Sequence, residues 1–81
     1  MRLVEAKRTP FSWDLYDELG DLAYTVGQVD GLTLLVRELV GERGRTERAS
    51  SMQEIADIVC RWNGWNTEER DRITGMLKVA S

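Results

Sequence analysis

The chain has 81 residues, a net charge of −3, one cysteine and no histidine. A hydrophobic content of 42% is sufficient for a single folded domain, and the acidic balance argues against general binding to nucleic-acid backbones. Because histidine is absent, Ser–His–Asp and Cys–His catalysis are excluded. Because Cys60 is the single cysteine of this sequence, it cannot form an intramolecular disulfide. No apolar run approaches the roughly 20 residues of a membrane span, so we expect a cytoplasmic protein.

Residues 1–9 read as a short N-terminal arm, and Thr9-Pro10 is a typical helix start. Large apolar residues then recur at alternating spacings of four and three, a helical period that Thr33 alone interrupts. The pattern predicts helix over residues 10–40, as one long helix or as a helical hairpin that breaks near Gly27–Gly31. The apolar series consists of Leu15, Leu19, Leu22, Val26, Val29, Val36 and Val40.

Two further helices are predicted, over residues 51–63 and 66–80, after an arginine- and glycine-rich loop at residues 41–50. Ser51 and Glu54 form a capping-box pattern, and Asn63-Gly64 is a typical helix end. The sequence therefore predicts one all-α domain, a small bundle of three helices, or four if the first helix breaks.

A stripe of small and aromatic residues lies opposite the apolar series on the predicted first helix. An unbroken helix would be about 43 Å long, whereas a compact chain of this size is about 30 Å across. We therefore expect an identical chain to cover the excess, which makes a homodimer. The expected interface consists of Trp13, Tyr16, Gly20, Ala23, Gly27, Gly31 and Leu34.

The loop arginines are candidate contacts to a partner, because a guanidinium group pairs well with carboxylates and phosphates. They are Arg43, Arg45 and Arg48, and Trp65 is a further candidate as an aromatic anchor. Nucleic-acid binding through this loop is one alternative function, although no aromatic residues lie between the arginines.

The segments "ELGD" and "EIAD" resemble the ExxD helix of the MazG-type all-α nucleoside triphosphate pyrophosphohydrolases. This resemblance covers about two helical turns in each segment and implies Mg²⁺-dependent cleavage of a nucleotide. It implies Glu18, Asp21, Glu54 and Asp57 as the metal ligands. The ExxE pair that precedes the ExxD pair in that family is missing here, so this activity is a second alternative.

The favoured hypothesis is a small, non-catalytic protein-binding module of the kind found among bacterial and phage regulators, inhibitors and adaptors. It needs no metal and no cofactor, and its partner is another protein. The absence of a catalytic constellation and the two non-polar faces of the predicted first helix are the basis of this hypothesis.

Overall fold

The computed structural model describes residues 1–39 and 44–81, which form a five-stranded antiparallel sheet and two helices. This architecture is α+β, so the prediction of an all-α helical bundle is wrong. The elements are β1 (Leu3–Arg8), β2 (Ser12–Asp17), β3 (Leu22–Gln28), β4 (Leu34–Glu38), β5 (Thr46–Ala49), α1 (Met52–Asn63) and α2 (Thr67–Ala80).

The strands form a meander, in which each strand pairs with the next one along the chain. Strand β2 shows why this segment is extended: buried and half-buried residues alternate from Ser12 to Asp17, with the period of two that a strand imposes. Across the paired strands β2, β3 and β4, Trp13 lies opposite Val26, and Val26 lies opposite Val36. These three buried side chains form the middle of the apolar face of the sheet.

The two helices cover this apolar face and pack against each other. Helix α2 contacts the edge strand β1, and helix α1 contacts the opposite edge strand β5. Fully buried aliphatic residues of the helices complete the core, namely Ile55, Val59, Ile73 and Leu77. The other face of the sheet has no helix on it among the described residues.

The helices predicted over residues 51–63 and 66–80 are confirmed as α1 and α2. The Ser51 hydroxyl caps α1 by accepting the backbone N–H of Glu54 at 3.2 Å. Gly64 ends α1 with a φ of 69°, in the left-handed region that favours glycine. Here local capping chemistry and the final structure agree.

The predicted long helix over residues 10–40 is absent from the described part of that range, where β2, β3 and β4 lie instead. Neither the intact helix nor the helical hairpin is correct. Asp17 and Glu38 occupy inward-facing strand positions, with exposures of only 7% and 9%. Since these carboxylates interrupt the apolar alternation, the remaining aliphatic residues imitate a helical spacing.

The segments predicted to be an arm and a loop also contain strands. Residues 1–9 include β1, and residues 41–50 include β5, Thr46–Ala49. Both segments are rich in charged residues, because edge strands that face solvent on one side need few apolar side chains. Their apolar content is therefore too low to distinguish a strand from a loop.

Candidate protein-interaction surfaces

The β1–β2 turn, at one end of the sheet, is held by backbone and side-chain hydrogen bonds. The Thr9 backbone N–H donates to the Ser12 carbonyl at 2.8 Å, and the Ser12 N–H donates to Thr9 Oγ1 at 3.0 Å. The Thr9 and Ser12 hydroxyls also share a hydrogen bond, with their oxygens 2.6 Å apart. Pro10 and Phe11 form the tip between these residues, so the direction of the Phe11 backbone is well defined.

The β3–β4 turn lies beside it, because the Gln28 N–H donates to the Phe11 carbonyl at 3.3 Å. Asp30 Oδ1 accepts the backbone N–H groups of Leu32 and Thr33 at 3.1 and 2.9 Å. The bond from Leu32, followed by those from Thr33, holds the pKa of the Asp30 carboxyl below its ordinary value. The ionised carboxylate therefore orders this turn.

These two ordered turns carry exposed apolar side chains. Leu32 is 87% exposed and Phe11 is 76% exposed, and Val29 is half exposed between them in sequence. We call Phe11, Val29 and Leu32 the hairpin-end patch. Exposed apolar side chains on adjacent turns at one end of a sheet make a candidate interaction site.

A shallow hollow of about 300 Å³ begins next to the hairpin-end patch, at Thr33. Arg48, Ser50 and Glu54 line it together with Ala49, so it carries charges of both signs at its rim. Glu54 is oriented by the backbone N–H and the hydroxyl of Ser50, which hold the pKa of its carboxyl below the ordinary value. A polar rim beside an apolar patch is the usual arrangement at protein interfaces.

A larger groove of about 570 Å³ lies between strand β1 and helix α2. Helix α2 lines it with Arg72, Gly75, Met76, Val79 and Ala80, and β1 supplies residues 4–6. Val79 is 88% exposed. The groove is therefore open and mostly apolar, with the charged residues Glu5 and Arg72 also in its lining.

A partly buried polar cluster joins the opposite end of the sheet to α1. Arg45 donates to both carboxylate oxygens of Glu38, at 3.2 and 2.9 Å, and also to the Trp62 carbonyl. The hydrogen bonds from Arg45 outweigh burial and keep the pKa of Glu38 below its ordinary value. Asn63 donates to the Tyr24 hydroxyl at 2.8 Å, and burial raises the pKa of Tyr24. All the polar groups named here have partners within the cluster, which indicates a structural role.

The interface predicted from the helical stripe does not form a single surface. Trp13 and Ala23 are buried, with exposures of 8% and 6%. Gly20 and Gly31 lie in turns at opposite ends of the sheet, and Gly27 lies within β3. Tyr16 is on β2 and Leu34 packs against the core. A stripe that depends on helical periodicity disappears when the same residues alternate along strands.

The four carboxylates implied by the pyrophosphohydrolase resemblance are not brought together. Glu18 and Asp21 lie at the β2–β3 turn, whereas Glu54 and Asp57 lie on α1. Asp57 is within 3.5 Å of the Arg70 guanidinium, and Glu54 accepts hydrogen bonds from Ser50. Within residues 1–39 and 44–81, no three such side chains are placed to hold a metal ion. The all-α fold of that family is also absent.

The predicted partner contacts have separate positions. Arg43 lies outside the described residues, and Arg45 forms a salt bridge with Glu38. Arg48 lines the hollow beside the hairpin-end patch, while Trp65 packs against the core. Sequence reasoning missed Phe11 and Leu32, although "TPF" and "VDGL" are turn signals.

The lone thiol is not a reactive site. Cys60 is 5% exposed on α1, and burial raises the pKa of its thiol above the ordinary value. A buried thiol that resists ionisation is a weak nucleophile. Packing in the core accounts for its position.

The fold and these surfaces define a small α+β domain with apolar side chains presented on ordered hairpins. Comparison with protein-family models, with curated proteins and with solved structures yields no match. Neither helix in the described ranges is long and apolar enough to cross a membrane. The candidate function therefore depends on the geometry of the surface itself.

Proposed function

We propose that this chain is a small, non-catalytic protein-binding module that acts as a regulator, inhibitor or adaptor by occupying the surface of a partner protein. The observation that carries the proposal is the hairpin-end patch, in which turns ordered by their own hydrogen bonds expose Phe11 and Leu32. A cytoplasmic setting belongs to the same proposal, because the single cysteine is buried and free.

The energetics of the hairpin-end patch favour this role. Fully burying a side chain such as Leu or Phe contributes about 1.5–3 kcal/mol. The cost of ordering a loop usually offsets part of such a gain on binding. In this chain the turns are already ordered by Thr9 and Asp30, so a larger share of the gain remains as affinity.

The partner we expect has an apolar cleft that accepts the Phe11 and Leu32 side chains. Arg48, at the rim of the neighbouring hollow, would face a carboxylate on the partner. Arginine at such a rim favours orientation and rate of encounter more than affinity. Most of the binding free energy would come from the two apolar side chains.

The test is to replace the patch and to measure binding to a purified partner. A Phe11→Ser/Leu32→Ser double variant and a Leu19→Ser control are prepared, because Leu19 is 82% exposed in a turn at the opposite end of the sheet. A partner is first identified by cross-linking in the source cells, and its dissociation constant is then measured by calorimetry. We expect the double variant to lose about 100-fold in affinity.

The Leu19→Ser control is expected to bind as the wild type does. Circular dichroism and thermal unfolding of each variant verify that the fold is intact. If the double variant binds with unchanged affinity, the hairpin-end patch is not the binding site. If Leu19→Ser weakens binding as much as the double variant does, the binding surface is at the other end of the sheet.

A further inference from the structure

Among the strands that the structure describes, β1 forms an edge of the sheet and pairs with β2 alone. Helix α2 packs over it from one side and leaves the open, mostly apolar groove beside it. We propose that a second copy of this chain adds its own β1 to this edge in antiparallel orientation. The two five-stranded sheets would then become one continuous sheet.

Symmetry restricts the register of this pairing. Two identical strands that pair antiparallel are related by a two-fold axis perpendicular to the sheet. Residues directly opposite each other in such a ladder point to the same face of the sheet. The axis must therefore lie midway between the two copies of one residue, which pairs with itself across the interface. Within the regular part of β1, after the irregularity between Leu3 and Glu5, the candidate centres are Glu5, Ala6 and Lys7.

Charge selects Ala6 from these three. An axis at Ala6 places Glu5 of each copy opposite Lys7 of the other, which gives two attractive pairs on the open face of the sheet. An axis at Glu5 places two carboxylates face to face, and an axis at Lys7 does the same with two ammonium groups. Glu5 and Lys7 are more than half exposed in the single chain and 3.7 Å apart, so both are accessible to a second copy.

The helix side of the sheet is compatible with the same axis. Ala6 lies opposite the buried Leu15 and so points towards α2, where its short side chain leaves space at the centre of the interface. A Cβ added at Gly75 would meet no atom within 4 Å, so this side of α2 is open. The two-fold axis would bring the α2 of the second copy across the groove and cover Val79, which is 88% exposed.

The test is to measure association by analytical ultracentrifugation of the intact chain from about 1 μM to about 1 mM. We expect the wild type to form a reversible dimer. Lys7→Glu and Glu5→Lys should each weaken dimerisation about tenfold or more, because each turns two attractive pairs into repulsive ones. The double swap Glu5→Lys/Lys7→Glu should restore the wild-type dimer to within about threefold.

Two further variants make the result specific. Gly75→Trp fills the groove and should abolish the dimer. Arg37→Glu, a charge reversal at an exposed position of β4 away from the β1 edge, should leave it unchanged. The fold of each variant is verified by circular dichroism. A wild type that stays monomeric to the highest concentration would overturn the proposal. A dimer that persists unchanged in Lys7→Glu and Gly75→Trp would do so as well.

The dimer and the hairpin-end patch can fail independently. The Phe11→Ser/Leu32→Ser variant should lose partner binding and keep the dimer, because the patch lies at the end of the strands rather than along the β1 edge. Loss of the dimer in this variant would place self-association at the hairpin-end patch and overturn the β1 pairing.

Discussion

At the scale of single residues, Glu38 links two parts of the fold through its carboxylate. Its carboxylate is almost fully buried and accepts two hydrogen bonds from Arg45. A bidentate pair of this kind is stronger than a neutral hydrogen bond, and a carboxylate left without it would be costly to bury. Arg45 also reaches the Trp62 carbonyl, so one guanidinium joins β4 to the end of α1.

We expect Glu38→Gln to lower the free energy of unfolding by about 1–2 kcal/mol at pH 7. The folded-state pKa of Glu38 is below its ordinary 4.5, so its contribution is complete above that value and is lost as the pH falls through the folded pKa. Urea unfolding at a series of pH values should therefore show the two proteins converging at low pH. Glu68→Gln, at an exposed position of α2, serves as the control, and a constant difference at all pH values would contradict the assignment.

At the scale of elements, the glycines divide into different structural classes. Gly20 has a φ of 85° in the β2–β3 turn, where an L side chain is strained. Asp17 Oδ1 accepts the N–H groups on both sides of this glycine, from Leu19 and Asp21, at 2.9 and 3.0 Å. Gly27, by contrast, lies within β3 without a positive φ, and a Cβ there would meet no atom within 4 Å.

The two glycines should therefore respond oppositely to substitution. Gly20→Ala is expected to lower the free energy of unfolding by about 1 kcal/mol or more, because the strain is not relieved elsewhere. Gly27→Ala is expected to be neutral or to stabilise by a few tenths of a kcal/mol, since alanine restricts the unfolded chain. Thermal unfolding of both variants checks this, and equal losses at the two positions would contradict it.

At the scale of the whole molecule, one layer of side chains connects the sheet to both helices. Leu15 is fully buried on β2 and lies opposite Ala6 on one side and Tyr24 on the other. A domain of this size has a total stability of only about 5–10 kcal/mol. A single cavity in this layer therefore removes a large fraction of that stability.

We expect Leu15→Ala to lower the free energy of unfolding by about 2–5 kcal/mol. Leu35→Ala on β4, which is half-buried on the open face, should cost much less because little cavity is created. Chemical denaturation followed by tryptophan fluorescence measures both. If the Leu35 variant were the less stable of the two, the open face would have to be covered in solution.

The parts of the fold that short-range interactions determine could be predicted from the sequence, and the parts that contacts between elements determine could not. The helices after Ser51 and Asn66 were predictable, because capping hydroxyls, amides and the terminal Gly64 act within a few residues. The strands were not, since inward-facing Asp17 and Glu38 conceal the alternation. The hairpin-end patch depends on two turns meeting in space, and neither "TPF" nor "VDGL" contains that fact.

The sequence by itself determined the charge, the absence of histidine chemistry, the single thiol and the two C-terminal helices, because each depends on composition or on short-range bonds. Only the tertiary structure decided that residues 10–39 form strands β2 to β4 and their turns, that Trp13 and Ala23 are core residues, and that Arg45 is paired with Glu38. The physical reason is that a strand is stabilised by hydrogen bonds to other strands and by the helices that cover it, and not by bonds within its own residues. Where the apolar residues fit both a helical and a strand period, the chain adopts the structure in which other elements can bury those residues.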